Sequence, residues 1–334
     1  MNWYRSVLTV RAALGLAVVS AGLLPRSDSD AQEIRPTAAT RVNSRATAVD
    51  DVDPVHYQAI RTVQPGTSSN AMRREALAEL SLHGLSPSQQ EKAQRVLNGV
   101  GLYRRLPTLE MEADAEVYRY LLSHPDVAVS TWRAMEISKF QLQPTAAGIY
   151  HADAGDGSVG EVEVWRSSDQ ETLIYCDGAF KSPLLVKPIV ARSIMRLKTR
   201  FFQDQQGTPR VEHTGDVFVE FPSQTVETVA RVISPVSHMI ADRNFRQLTL
   251  YAHLMSQAMS RQPGWVRTIA RRMDSSDAQR EEFLAVAEKA FAAGERRRQA
   301  ADNPLPLDEI LAPLRAPSDA VRTAQSADET TVTR

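Results

Sequence analysis

The strongest constraint on the fold is a pair of alternating stretches, 191–202 and 211–221, joined through Gln205, Gln206 and Gly207. Alternation of period two marks strands rather than helices, because successive strand side chains point to opposite faces. A three-residue loop with Gly in the left-handed position closes an antiparallel hairpin. Here it pairs residues whose numbers sum to 412, Arg200 with Glu212 for instance. On the same face Arg196 meets Asp216 and Arg192 meets Glu220, with Ile194 beside Phe218 and Lys198 beside Thr214. Each such opposite-charge pair contributes roughly 0.2–1 kcal/mol, and the face reads as solvated. The other face carries Met195, Leu197, Thr199, Phe201, His213, Gly215, Val217 and Val219. It is mostly apolar and must be covered.

The cover follows in sequence. Between Gln224 and Met259 the apolar residues Val226, Val229, Ile233, Val236, Ile240, Leu248, Tyr251, Met255 and Met259 form a stripe near the 3.6 period. Pro235 implies either a bend near Arg231 or a helix start near Ser234. Four further strands are expected at 140–142, 149–152, 159–166 and 173–179, separated by turn residues, which makes about six antiparallel strands in all. Two short helices precede them, at 114–123 and from Pro125 through Trp132 to Met135. Further upstream, 71–83 reads as a helix stopped by Gly84. A second helix starts at Ser86, where Pro87 fits the first position and Gln89 completes a capping box. These two form a helical hairpin within 71–105. Downstream, a helix at 264–273 precedes an exposed, charged one within 274–302, with Phe283, Leu284, Ala287 and Phe291 on one side.

The ends differ from this core. Residues 1–31 have the layout of an export signal: Arg5 and Arg11, an apolar run from Ala12 to Leu24, and a small-residue exit at Ser29 and Ala31. Spanning the hydrocarbon core takes about 20 residues, so cleavage is the leading reading and retention as an anchor the other. The expected location is therefore periplasmic or secreted. Residues 32–70 and 303–334 are rich in Thr, Ser, Ala, Asp and Pro with no apolar period, and read as a disordered tether and tail. The net charge of −1 supplies no field to attract nucleic acid. The single Cys176 cannot form an internal disulfide, and its apolar neighbours mark it as a small buried hydrophobe.

Two short helices, an antiparallel sheet and one long closing helix make an α+β order that resembles the helix-grip (START and Bet v 1-like) superfamily. The resemblance is one of architecture over residues 110–259, within a domain of 106–273. It implies a sheet curled round the long helix and a cavity for a lipid or other apolar small molecule. The implied lining is Met195, Leu197, Thr199, Phe201, His213, Gly215 and Val217 from the sheet, with Tyr251 and Met255 from the helix. The family's usual first strand has only a short candidate here, 106–111, which contains Pro107.

Signatures of other chemistry are missing from the sequence. There is no G-x-S-x-G elbow, H-E-x-x-H pair, CxxC or phosphate loop, so no cofactor or metal is expected and no catalytic residue is assigned. His238 and Asp242 share a helix face, a spacing that suits a metal but more often a surface hydrogen bond. His213 falls on the apolar face, where it is either a satisfied core histidine or a ligand contact or base. Trp132, Trp165 and Phe201 are core aromatics or stacking groups. Arg296, Arg297 and Arg298 suit a helix C-terminus, with contact to anionic lipid the minority reading. Three functions stay open: a non-enzymatic protein binding an apolar molecule, a structural or interaction domain without a cavity, and a cyclase-like enzyme. The oligomeric state is not legible.

Overall fold

A computed structural model of the chain describes residues 59–181, 188–222 and 235–302. The export segment, most of the tether and the tail lie outside the described residues, so those expectations are not addressed by the fold.

The described chain runs β1 (Ile60–Gln64), α1 (Asn70–Glu79), α2 (Pro87–Asn98), β2 (Val100–Arg105), β3 (Thr108–Glu112), α3 (Ala115–Ser123), α4 (Pro125–Ala134), β4 (Gln141–Ala146), β5 (Ile149–Asp153), β6 (Ser158–Ser167), β7 (Glu171–Phe180), β8 (Ile189–Gln203), β9 (Pro209–Glu220), α5 (Pro235–Arg261), α6 (Pro263–Arg272) and α7 (Asp277–Asp302). This is an α+β fold with a single open antiparallel sheet of nine strands, ordered β1-β3-β9-β8-β7-β6-β5-β4, with β2 also on β9. The six strands expected from alternation correspond to β4 to β9. The other three join at the far edge. One of them, β1, falls in the stretch expected to be a disordered tether: Ile60 is buried and the strand pairs with Met111 to Thr108 of β3. Five residues are too few to show an amphipathic period, and the strand is defined by its partner.

The hairpin register is the one read from the sequence. Arg192 pairs with Glu220, Arg196 with Asp216 and Arg200 with Glu212, and Gly207 takes a φ of 75° in the turn. The Asp204 carboxylate accepts from the Gln206 and Thr208 amides and from Arg210, closing the loop. On its other side β9 is met by β2 along its C-terminal half and by β3 along its N-terminal half. The two registers differ by one residue, which places Pro107 in a bulge. Pro has no N–H to offer the ladder and is at home there. Around the break the Leu106 amide donates to the Gly215 carbonyl and the Thr214 hydroxyl to the Leu106 carbonyl.

The face carrying the charge pairs is covered around Arg196 and Asp216, while Arg200, 60% exposed beside Glu212, stays in solvent as expected. The α1–α2 hairpin lies on it, and Ala76, Ala93 and Val96 pack with Tyr103, Leu173, Tyr175, Ile194 and Phe218 into a second core. Ser86 and Gln89 form the expected capping box at the start of α2. The ions at its centre are buried with this core. Arg196 and Asp216 each have side chains only 1% exposed and are bonded to each other at 2.9 Å. Asp216 also accepts from Arg105 Nε at 2.8 Å and from the Tyr103 hydroxyl at 2.8 Å. Glu79, the last residue of α1, accepts from Arg196 at 2.7 Å and from Lys198. Burial pushes the Asp216 carboxyl up, but the bonds from Arg105, Tyr103 and Arg196 hold it below the ordinary carboxylate range. Glu79 falls to about 2 through its bonds to Lys198 and Arg196.

The opposite face is covered by α3 to α7. Helix α5 is described from Pro235; the alternative bend near Arg231 lies outside the described residues. Helix α7 is not the exposed element expected from its charge. Phe283, Val286, Ala287 and Ala290 are buried in the main core, and Gly294 sits against α5 so closely that a Cβ there would stand 2.8 Å from the Ser260 carbonyl. Its charged residues lie on the remaining sides, where Arg297 pairs with Asp114 and Arg298 donates to the Ser260 carbonyl.

Candidate ligand cavity

Each wall of the cavity begins from a local sequence feature. Asp114 caps α3 by accepting from the Glu116 and Val117 amides, and its own amide donates to Ser256 Oγ of α5 at 2.8 Å. That anchor aims Tyr118, Leu121 and Leu122 at the sheet. Pro125, fixed in φ, opens α4 and turns Ala128, Val129 and Trp132 to the same space. The sheet contributes alternate residues of adjacent strands: Val162 and Val164 of β6, Ile174 and Cys176 of β7, Met195 and Leu197 of β8, and His213 of β9. Helix α5 closes the space with Phe245, Leu248, Tyr251 and Ala252. Together they line a half-open cavity of about 170 Å³ whose lining is almost wholly carbon.

Its few polar groups form closed chains. The Thr249 hydroxyl donates to the Phe245 carbonyl at 2.8 Å and so accepts from His213 Nε2, also at 2.8 Å. His213 Nδ1 is then the acceptor for the Tyr118 hydroxyl at 2.7 Å, and Thr199 lies on the same face opposite His213. Burial pulls the His213 pKa down to about 3 and raises that of Tyr118. The imidazole is thus neutral, with both nitrogens committed, which suits a structural histidine and not a general base. Tyr251 donates to Thr131 Oγ1 at 2.7 Å, and Thr131 donates to the Ala128 carbonyl at 2.7 Å. The Tyr251 pKa is raised by burial, opposed by Thr131 and by the nearby Trp132 indole. Even so, Trp132 Nε1 reaches no protein acceptor with hydrogen-bond geometry. Cys176 is unpaired, and burial pushes its thiol up to about 12, so it is inert as a nucleophile.

Of the residues expected to line a cavity, Met195, Leu197, His213 and Tyr251 do so. Thr199 is buried beside them, opposite His213. Phe201 packs edge-on to Tyr118 at 5.8 Å beneath the Arg119 guanidinium. Val217 and Met255 belong to the packed core. Gly215 has no room beside it: a Cβ would stand 2.9 Å from Met195 Cε and 3.1 Å from Leu106 Cδ1. The space therefore lies nearer β6, β7 and the two short helices than β9. The α3 and α4 residues were visible as apolar stripes at helical spacing, but spacing does not say which strands a stripe will face. Trp165 is on the opposite face, stacked on Tyr175 at 4.9 Å and donating to Glu163 at 2.8 Å.

Asp242, one helical turn from His238, receives the Arg104 guanidinium through both oxygens. Among the described residues no group of three or more His, Cys, Asp or Glu is placed to hold a metal ion. Nor is any described helix long and apolar enough to cross a membrane. No protein-family model matches this chain, and a search among curated proteins finds no match either.

Proposed function

We propose that this chain is an exported, non-enzymatic protein that holds a small apolar molecule between the sheet and helices α3 to α5, in the manner of a helix-grip domain. The cavity is the observation that supports this reading. The cavity's size also favours a compact ligand over a sterol or long-chain lipid, since an apolar cavity of about 150 Å³ accommodates a benzene ring. Export rests on the N-terminal signal layout of residues 1–31.

Native mass spectrometry of the chain recovered from its own exported fraction tests both parts. The expected mass begins near Gln32 and carries one small apolar molecule. The Val164→Phe variant, which places a ring on a half-buried cavity wall, should lose that molecule with a stability change under about 1 kcal/mol. A ligand-free wild-type chain that also takes up no benzene would move the function to the interaction-domain alternative. A mass beginning at Met1 would end the cleavage reading.

A further inference from the structure

Resting on that reading, we infer that the apolar molecule is a single-headed amphiphile, an alkylated ring or short branched chain with one polar group, which enters hydrocarbon end first and leaves that group at the mouth. The inner wall has nothing to offer a polar atom. The Tyr118 hydroxyl is given to His213, both His213 nitrogens are used, and the Tyr251 hydroxyl is given to Thr131. The Trp132 indole N–H is buried against the Tyr251 hydroxyl and presents no surface to the cavity. That leaves the Cys176 thiol, a weak donor and weak acceptor. A hydroxyl or carbonyl carried inside would give up its water without gaining a partner, and a charge would do so at far greater cost.

One side of the cavity is nevertheless open. Leu122 and Pro125 at the α3–α4 junction and Leu142, Val162 and Val164 of β4 and β6 are half-buried, whereas Ile174, Met195 and Tyr251 are buried. Of the remaining lining residues only Leu248 keeps comparable exposure. The mouth therefore lies between the α3–α4 junction and the β4–β6 side of the sheet. A polar group stays hydrated there while a hydrocarbon end of about one ring fills the interior.

Three rings of nearly equal shape test this by calorimetric titration of the full wild-type chain: p-xylene, p-cresol and hydroquinone, which carry no, one and two hydroxyl ends. p-Cresol can bury its methyl and leave its hydroxyl in water, so it should bind within about 3-fold of p-xylene. Hydroquinone must bury one hydroxyl and should bind at least about 20-fold more weakly than p-cresol, about fourfold for the missing methyl and the rest for the unpartnered hydroxyl. A smaller loss would mean that the interior satisfies a polar atom, which overturns the inference. A larger fall from p-xylene to p-cresol overturns it as well, since the hydroxyl would then be buried in every orientation. In both of these cases bound p-xylene leaves the cavity reading standing. If p-xylene does not bind, that reading itself fails and takes the inference with it.

Discussion

The two faces of the β8–β9 hairpin are built from alternate residues of the same strands, yet they solve opposite problems. On one, Arg196, Asp216, Arg105 and Glu79 are locked together under α1 and α2, with Tyr103 and Phe218 packed at 5.3 Å beside them. On the other, Met195, Leu197 and His213 face a space that protein atoms do not fill. Removing one partner of a buried ion pair leaves an uncompensated charge, which is far more costly than a void of a few atoms. The ionic face is therefore intolerant of change and fixes where the helical hairpin docks. The apolar face has non-directional contacts and can carry a cavity without losing its fold.

That contrast can be broken most forcefully at Asp216. Asp216→Ala leaves Arg196 and Arg105 buried without their shared carboxylate and should cost about 3–5 kcal/mol, read as a lowered denaturation midpoint. A loss under about 1 kcal/mol would mean the cluster is hydrated and the faces are not so different. Its neighbour Gly215 sharpens the boundary of the cavity, since its position points to the other face. Gly215→Trp should destabilise by about 1–3 kcal/mol or more, because Met195 and Leu106 already fill the space. A stable Gly215→Trp protein would extend the cavity to β9.

The smallest effect is in pH. His213 stays neutral when folded, with a pKa of about 3 against 6.5 unfolded. Below 6.5 the unfolded chain binds a proton that the folded one does not. Stability present above that pH is thus lost progressively as pH falls toward about 3. By about pH 5 the loss from this group should be about 1–2 kcal/mol. His213→Gln, which does not titrate, should flatten that part of the stability curve. An unchanged slope would show that His213 is protonated in the fold and that the cavity wall is wetter than its lining implies. Glu79 acts in the same sense only at lower pH, between 4.5 and about 2.

Much of the fold was legible before any tertiary structure. The pairing of β8 with β9 follows from one loop of three residues, and the helix starts at Ser86 and Pro125 follow from a capping box and from a proline in the first turn. Less legible were β1 and the bulged β2–β3 strand. Their residues acquire strand structure from β9 and from each other, without a period of their own. The charge pairs were correctly matched across the hairpin, but Arg196 and Asp216 were placed in solvent along with Arg200 and Glu212, since cross-strand attraction looks the same whether water or a helix lies above it. In the same way the charged helix α7 hid its role, with Phe283 and Gly294 set into the core among Arg and Glu residues.

Alternation and turn chemistry act over a few residues, and by themselves they determined which side chains of this protein share a face and which lie opposite one another. What covers each face depends on contacts between segments far apart in the chain. Only the tertiary structure decided that α1 and α2 seal the ions in, that Gly215 is packed, and that the cavity opens between β6, β7 and the α3–α4 pair.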